Sequence, residues 1–302
     1  MSLLAPPPAT RTLGRGGKTV SSLAWGMWRF TGDDVRAAQG LVEAAFAAGI
    51  TLFDTADIYG FTGSDGFGDA EALLGRVLKA ARGLRAPMVL ATKGGIMPPR
   101  PYDQSPDYLM AALDASLTRL GVDHVDLWQV HRPDVLTHPH ELARSLEDMV
   151  KSGKVGAVGV SNFTHGQIAT LAHFLTIPLA TTQPEFSALA IDPAENGLLD
   201  QAMTLGTAVL AWSPLGQGRI AYPTSKRELD VAEALDAVAS AQGVSRTAAA
   251  YSWIMAHPAG IIPIVGSQQA ARIADAADAY KVRWSRTDWY KVLTASRQEP
   301  LP

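Results

Sequence analysis

A chain of 302 residues with 47% hydrophobic and 18% charged side chains is long enough to bury a large core and too apolar to be disordered. A formal net charge of −3 with no long run of Lys or Arg matches neither a nucleic-acid backbone nor an anionic membrane surface, so a small molecule is the expected partner. The absence of Cys removes disulfides, thiolate metal sites and cysteine nucleophiles, and it agrees with a reducing compartment.

The chain begins "MSLLAPPPATR", which has no basic segment ahead of its apolar residues and is interrupted by three prolines. It reads as a loose leader and not as a secretion signal. Apolar runs elsewhere stop short of the roughly 18 to 20 residues that a membrane span needs, and a cytoplasmic location is expected. The next segment, "TLGRGGKTV", is not a phosphate loop, because the first glycine of that motif would fall on Thr12. Two β-type runs around Gly16 and Gly17 read instead as a hairpin.

Eight β-type runs follow, at 22–27, 51–54, 88–92, 125–130, 155–160, 180–183, 208–212 and 261–265. Helical patterns separate them, such as "DDVRAAQGLVEAAFAAG", with Asp residues at its start and Gly49 at its end, and "SPDYLMAALDASLTRLG", with Pro106 in the first turn and Gly121 closing. No linker of changed composition intervenes. Strand then helix, repeated eight times, predicts an α/β chain folded as one (β/α)8 TIM barrel domain over residues 1–302, preceded by the N-terminal β-hairpin. The competing doubly wound sheet lacks its usual phosphate loop after the first strand.

A barrel of this kind builds its site where the strands end. The residues there are Trp28, then Asp54 and Tyr59, Lys93, His131, Ser161 with Asn162, Gln183 with Glu185, Ser213, and Ser267. Asp, Tyr, Lys and His at the ends of consecutive strands are expected to converge in space, an arrangement that permits a proton-transfer site. A free phenol, with a pKa of about 10, is a poor acid at neutral pH. A cation at about 4 Å in an effective dielectric near 20 attracts the phenolate by roughly 4 kcal/mol before screening. Lys93 supplies that cation, Asp54 holds it and offsets part of its field, and the phenol of Tyr59 is expected to move down by about a unit or two. His131 is placed to hydrogen-bond a substrate oxygen, and Asp57 is read as structural.

The segments "FDTADIYG", "ATKGG", "LWQVHRPD", "GKVGAVGVSNF", "TTQPEF", "AWSPLGQG" and "PIVGSQQAARI" resemble, in order and across nearly the whole chain, the successive signatures of the aldo-keto reductase family. The "HRPD" and "AWSPLGQGR" segments are most similar to its bacterial oxidoreductases of unassigned substrate. The resemblance implies NADPH-dependent reduction of an aldehyde or ketone, with a catalytic tetrad of Asp54, Tyr59, Lys93 and His131 in which Tyr59 gives the proton. It also implies that Ser161, Asn162 and Gln183 hold the nicotinamide carboxamide, that the ring lies on Trp212, where most relatives carry Tyr, and that Ser213, Leu215 and Gly218 wrap the pyrophosphate. Ser267 and Arg272 would take the adenosine phosphate. Gly266 stands where many relatives have Lys, so NADPH is expected to be preferred with NADH as a weaker cofactor. The alternative that the resemblance carries is a nucleotide-binding regulatory subunit similar to potassium-channel beta subunits.

Trp28, Phe61 and Tyr102 are expected to line the substrate mouth, and Arg132 is placed either to meet an acidic substrate or to pair with Asp134. "GFTGSDGFGDAE", rich in permissive glycines, is expected to be a flap over that mouth or an ordinary surface loop. Three motifs mislead. "GQGRIA" fits a dinucleotide fingerprint but does not lead directly into a helix, and "GVSNF" resembles a nucleophile elbow but ends on Phe163. His138 and His140 in "THPHE" look like a metal pair but read as a surface helix cap. No metal is required. The oligomeric state is not encoded in any of these patterns.

Overall fold

The computed structural model describes residues 3–301, and each apolar run of the sequence forms a strand of one closed barrel. The strands are β3 (Ala24–Gly26), β4 (Leu52–Asp54), β5 (Val89–Gly94), β6 (Val125–Val130), β7 (Val155–Ser161), β8 (Thr181–Gln183), β9 (Ala208–Ala211) and β10 (Ile262–Val265). They run parallel in chain order, and β10 pairs with β3 to close the ring. Nearly continuous apolar strands are what such a sheet demands, because helices cover its outside and side chains fill its inside.

The helices between them obey local stop and start chemistry. Asp34 accepts from Ala37 N to cap α1 (Val35–Ala47), and Pro106 opens α3 (Pro106–Leu120), which Gly121 ends in the left-handed conformation. Between these two lies α2 (Asp69–Ala80), and after β6 comes α4 (Pro139–Lys151), whose cap is the Nδ1 of His138 accepting from His140 N. That is the capping role expected of the histidine pair. The outer ring continues with α5 (His165–Phe174), α6 (Asp192–Glu195), α7 (Leu198–Leu205), α8 (Lys226–Gln242), α9 (Arg246–Met255), α10 (Ala270–Ala276) and α11 (Arg286–Arg297). Among the described residues no helix is long and apolar enough to cross a membrane.

Before the barrel, β1 (Thr10–Thr12) and β2 (Thr19–Ser21) pair antiparallel as the predicted hairpin. Its Leu13 and Val20 pack with Ala24, Leu52, Val89, Leu127, Leu210 and Ile262, a small buried cluster separate from the larger strand-helix core. These partners lie at or near the starts of their strands, so the hairpin closes the barrel at the N-terminal end. Lys18 reaches across from it to Asp126 of β6. The leader is less loose than expected: Leu3 bridges Ser285, Leu4 N donates to Trp284 O at 2.8 Å, and Pro8 O accepts from Ser22 Oγ at 2.6 Å. Met1 and Ser2 lie outside the described residues.

Candidate active site

Side chains alternate across a strand, so one residue of β5 faces the barrel axis and the next faces the helices. Ala91 and Lys93 face inward, whereas Thr92 faces outward and donates to Glu71 of α2 at 2.5 Å. β5 runs one residue beyond Lys93, so the lysine is held inside the strand and not in the loop after it. Register then sets its neighbours, because Asp54 pairs with Ala91 and Lys93 pairs with Gln129. The lower interior is apolar and the upper interior is polar.

Asp54 is the hub of that polar layer. Its Oδ2 accepts from Lys93 Nζ at 2.6 Å, and its Oδ1 accepts from Gln183 Nε2 at 3.0 Å and from Gln129 Nε2 at 3.3 Å. Lys93 Nζ also donates to Thr55 O at 2.8 Å, and Thr181 Oγ1 donates to Gln129 Oε1 at 2.9 Å. A fully buried ammonium is tolerable only with such partners. Burial works against the Lys93 cation, but Asp54 and the Tyr59 phenol outweigh it and hold its pKa above the ordinary lysine value. Gln129 is a site residue that sequence reading passed over, although a glutamine inside the apolar run "VDLWQV" was its signal.

Tyr59 stands on the turn after β4, with Lys93 Nζ 5.0 Å from its ring centroid and the His131 ring edge-on at 5.8 Å. Gly60 has to follow it: its φ is 103°, and a Cβ there would lie 2.7 Å from that of Asp69 and 2.8 Å from Gly66 O. The expected downward shift of the phenol is not what the geometry produces. Burial comes first and pushes Tyr59 above its ordinary value, Lys93 pulls it down, Asp54 pushes again, and the balance is upward. His131 is pushed well below the usual imidazole range by burial, then by Lys93 and Arg132, so it is neutral at neutral pH. Its Nδ1 is buried with no partner among the described residues.

Beside this cluster Ser161, Asn162, Gln183 and Trp212 form one chain of contacts. Ser161 Oγ donates to Gln183 O at 2.9 Å, Asn162 Nδ2 donates to Ser161 Oγ at 2.8 Å and to His131 O at 3.2 Å, and Trp212 Nε1 donates to Asn162 Oδ1 at 2.9 Å. Asn162 is held at φ 62°, a left-handed conformation that Asn tolerates better than most residues. After β9 the turn carrying Ser213, Leu215 and Gly218 has further left-handed positions at Ser213 and Gln217. Ser267 accepts from Gln269 N through its hydroxyl and from Trp25 Nε1 through its carbonyl, and among the described residues the Arg272 guanidinium donates only to the Tyr222 hydroxyl, at 3.2 Å. A dinucleotide asks for an aromatic face, amide and hydroxyl groups for a carboxamide, and a cation without a carboxylate partner for phosphate. These residues fit it.

Of the residues expected at the substrate mouth, Arg132 lies with Cζ 6.0 Å from the Trp212 ring centroid. Its expected pairing with Asp134 does not form, because Asp134 accepts from Leu136 N and Thr137 Oγ1 and so caps its own turn. Trp28 stands 62% exposed beneath Arg29, Phe61 meets Phe67 edge-on at 6.2 Å, and Tyr102 bridges Ile96. The glycine-rich loop is closed on itself: Thr62 N donates to Asp65 O, Asp69 N to Gly66 O and Ala70 N to Tyr59 O, and Arg119 lies over Phe67.

The model of the aldo/keto reductase family matches residues 22–295. A 6-dehydroglucose reductase of Novosphingobium aromaticivorans is 66% identical over 304 aligned residues, covering 100% of both chains. A protein of the same name from Agrobacterium fabrum is 40% identical over 291 residues, covering 91% of this chain and 94% of its own. A thermostable aldo-keto reductase solved in complex with the inhibitor epalrestat matches with a TM-score of 0.81 at 23% identity, over 95% of this chain and 99% of that one, which shows the barrel. With the family model spanning all eight barrel strands and whole-length relatives beside it, the chain belongs to the aldo/keto reductase family and is a nicotinamide-dependent oxidoreductase acting on carbonyl compounds.

Proposed function

We propose that this enzyme reduces the aldehyde of 6-dehydroglucose, or a sugar aldehyde of that class, to the alcohol, with Tyr59 as proton donor and NADPH as the preferred cofactor. The observation that carries the chemistry is the buried Lys93 between Asp54 and Tyr59, with neutral His131 at the ring edge. The substrate class rests on the 66% identity to a protein of that name over the whole chain.

Bound reduced nicotinamide supplies the hydride to the carbonyl carbon. Tyr59 keeps its proton through neutral pH, because its pKa is raised, so the acid is loaded before reaction. The proton moves from the phenol to the carbonyl oxygen as negative charge develops there, and Lys93 stabilises the phenolate left behind. His131, being neutral, holds the carbonyl oxygen through a ring N–H and does not compete as an acid. Asp54, Gln129 and Gln183 keep the ammonium in place. Ser161, Asn162 and Trp212 orient the nicotinamide, and Ser213, Leu215, Gly218, Ser267 and Arg272 hold the remainder of the dinucleotide.

The test is Tyr59→Phe, assayed with NADPH and 6-dehydroglucose. Turnover should fall by roughly 10² to 10⁴, the usual contribution of a general acid, while NADPH still binds, as read from its fluorescence. A variant that turns over at near wild-type rate removes Tyr59 from the chemistry, and a wild type that leaves 6-dehydroglucose untouched removes that substrate.

A further inference from the structure

Arg132 has the donors of a recognition residue and no hydrogen-bond or ion-pair partner for them among the described residues. Its backbone is fixed, since its carbonyl accepts from the buried Gln104 Nε2 at 2.5 Å. Its side chain is half-buried beside the site, with the guanidinium over Trp212 and its charge felt at His131. The other half-buried arginines are all engaged: Arg11 and Arg227 donate to carbonyls, and Arg85, Arg119 and Arg246 pair with carboxylates. Among the described residues Arg132 alone is withdrawn from full exposure with a guanidinium that makes neither a hydrogen bond nor an ion pair. The nearest acid in sequence, Asp134, is spent on its own turn. A guanidinium offers five N–H donors in one plane, a geometry that suits two adjacent oxygens.

We propose that Arg132 is the specificity-determining residue for a hydroxylated carbonyl substrate, its guanidinium donating to hydroxyl oxygens next to the carbon being reduced while the cation–π contact with Trp212 holds it in place. This deepens the sugar-aldehyde reading and rests on it. The contact favours hydroxylated aldehydes through binding, whereas His131 and Tyr59 act on the carbonyl oxygen itself. Discrimination therefore belongs in the Michaelis constant more than in turnover.

The experiment compares wild type with Arg132→Met and Arg132→Lys on D-glyceraldehyde, butanal and succinic semialdehyde, with 6-dehydroglucose assayed alongside. For Arg132→Met the ratio of kcat/KM for D-glyceraldehyde over butanal should fall about ten- to hundredfold, mainly through KM, as expected for a lost hydrogen bond to a charged donor. Arg132→Lys, which keeps the charge and loses the fork, should recover only part of it. An equal loss on butanal and D-glyceraldehyde would make Arg132 a support for the His131 side of the site and overturn the proposal. So would a loss confined to succinic semialdehyde, which would make it an anion binder, or a ratio that does not move. A wild type that discriminates through Arg132 yet does not reduce 6-dehydroglucose overturns the substrate named above and leaves the role of Arg132 standing.

Discussion

Among the described residues Asp57, 1% exposed, is the one buried acid with neither carboxylate oxygen partnered. It lies on the outer side of β5, where the absence of a side chain at Gly94 admits it: a Cβ there would come within 3.1 Å of Asp57 Oδ2. The Arg119 that could neutralise it is already paired with Glu71 at 2.7 Å. Burial first, and then the Glu71 carboxylate, push Asp57 well above the ordinary carboxylate range, so it keeps its proton in the fold. An unfolded Asp loses that proton near pH 3.9. Between that pH and the raised folded pKa the native state binds more protons than the unfolded state, so the residue costs stability increasingly as pH rises. Asp57→Asn should therefore be close to wild type in stability below about pH 4 and progressively more stable than wild type above it. Urea midpoints across that range are the measurement. A difference that is constant with pH would show that Asp57 is charged in the fold and held by something other than its neutrality.

At the scale of elements, strands and loops were legible to different degrees. All eight barrel strands were visible because buried parallel strands are apolar on both sides, and errors were confined to ends: the third run stopped at Thr92, whereas β5 carries Lys93 and Gly94. What a strand contributes to the interior depends on register, which no single run displays. Hence the sequence does not reveal that Gln129 meets Asp54, and it does not reveal the upward shift of Tyr59, because the burial of a phenol depends on the turn folding over it. Loops are read less well still, since their conformation is set by contacts far away in sequence. The turns after β9 and β10 illustrate this. Ser213 and Gln217 adopt left-handed backbone conformations that favour Gly, and Tyr222 of the first turn meets Arg272 at the second. On the proposed cofactor assignment, with Gly266 where a second cation would stand, Arg272 is the residue that grips the 2′-phosphate. Its exchange for Ala should lower the ratio of kcat/KM with NADPH to that with NADH by roughly ten- to hundredfold, with NADH activity little changed. Equal loss with both cofactors would place Arg272 elsewhere than at that phosphate.

Over the whole molecule, the barrel separates stability from chemistry by its two ends. Asp54, Lys93, His131, Ser161 and Gln183 sit at or just past the C-terminal ends of their strands, on an apolar floor that includes Leu52, Val89 and Leu127. That floor would be open to solvent at the N-terminal end without the hairpin of β1 and β2. Leu13 seals it, 3% exposed among those floor residues. Arg11 and Arg15 fasten the same segment to the carbonyls of Met255 and Thr204, and Lys18 fastens it to Asp126, so the seal is stitched to three separate parts of the ring. Replacing Leu13 by Ala removes buried methyl groups where tethered neighbours can collapse only partly, a change that typically costs about 2 to 5 kcal/mol. The variant should unfold at lower urea, yet its kcat and KM at temperatures where it remains folded should match wild type, because Asp54 and Lys93 are fixed by contacts within the upper layer. If kcat falls in step with stability, the two ends are mechanically coupled and the hairpin helps to position Lys93 as well as to seal the barrel.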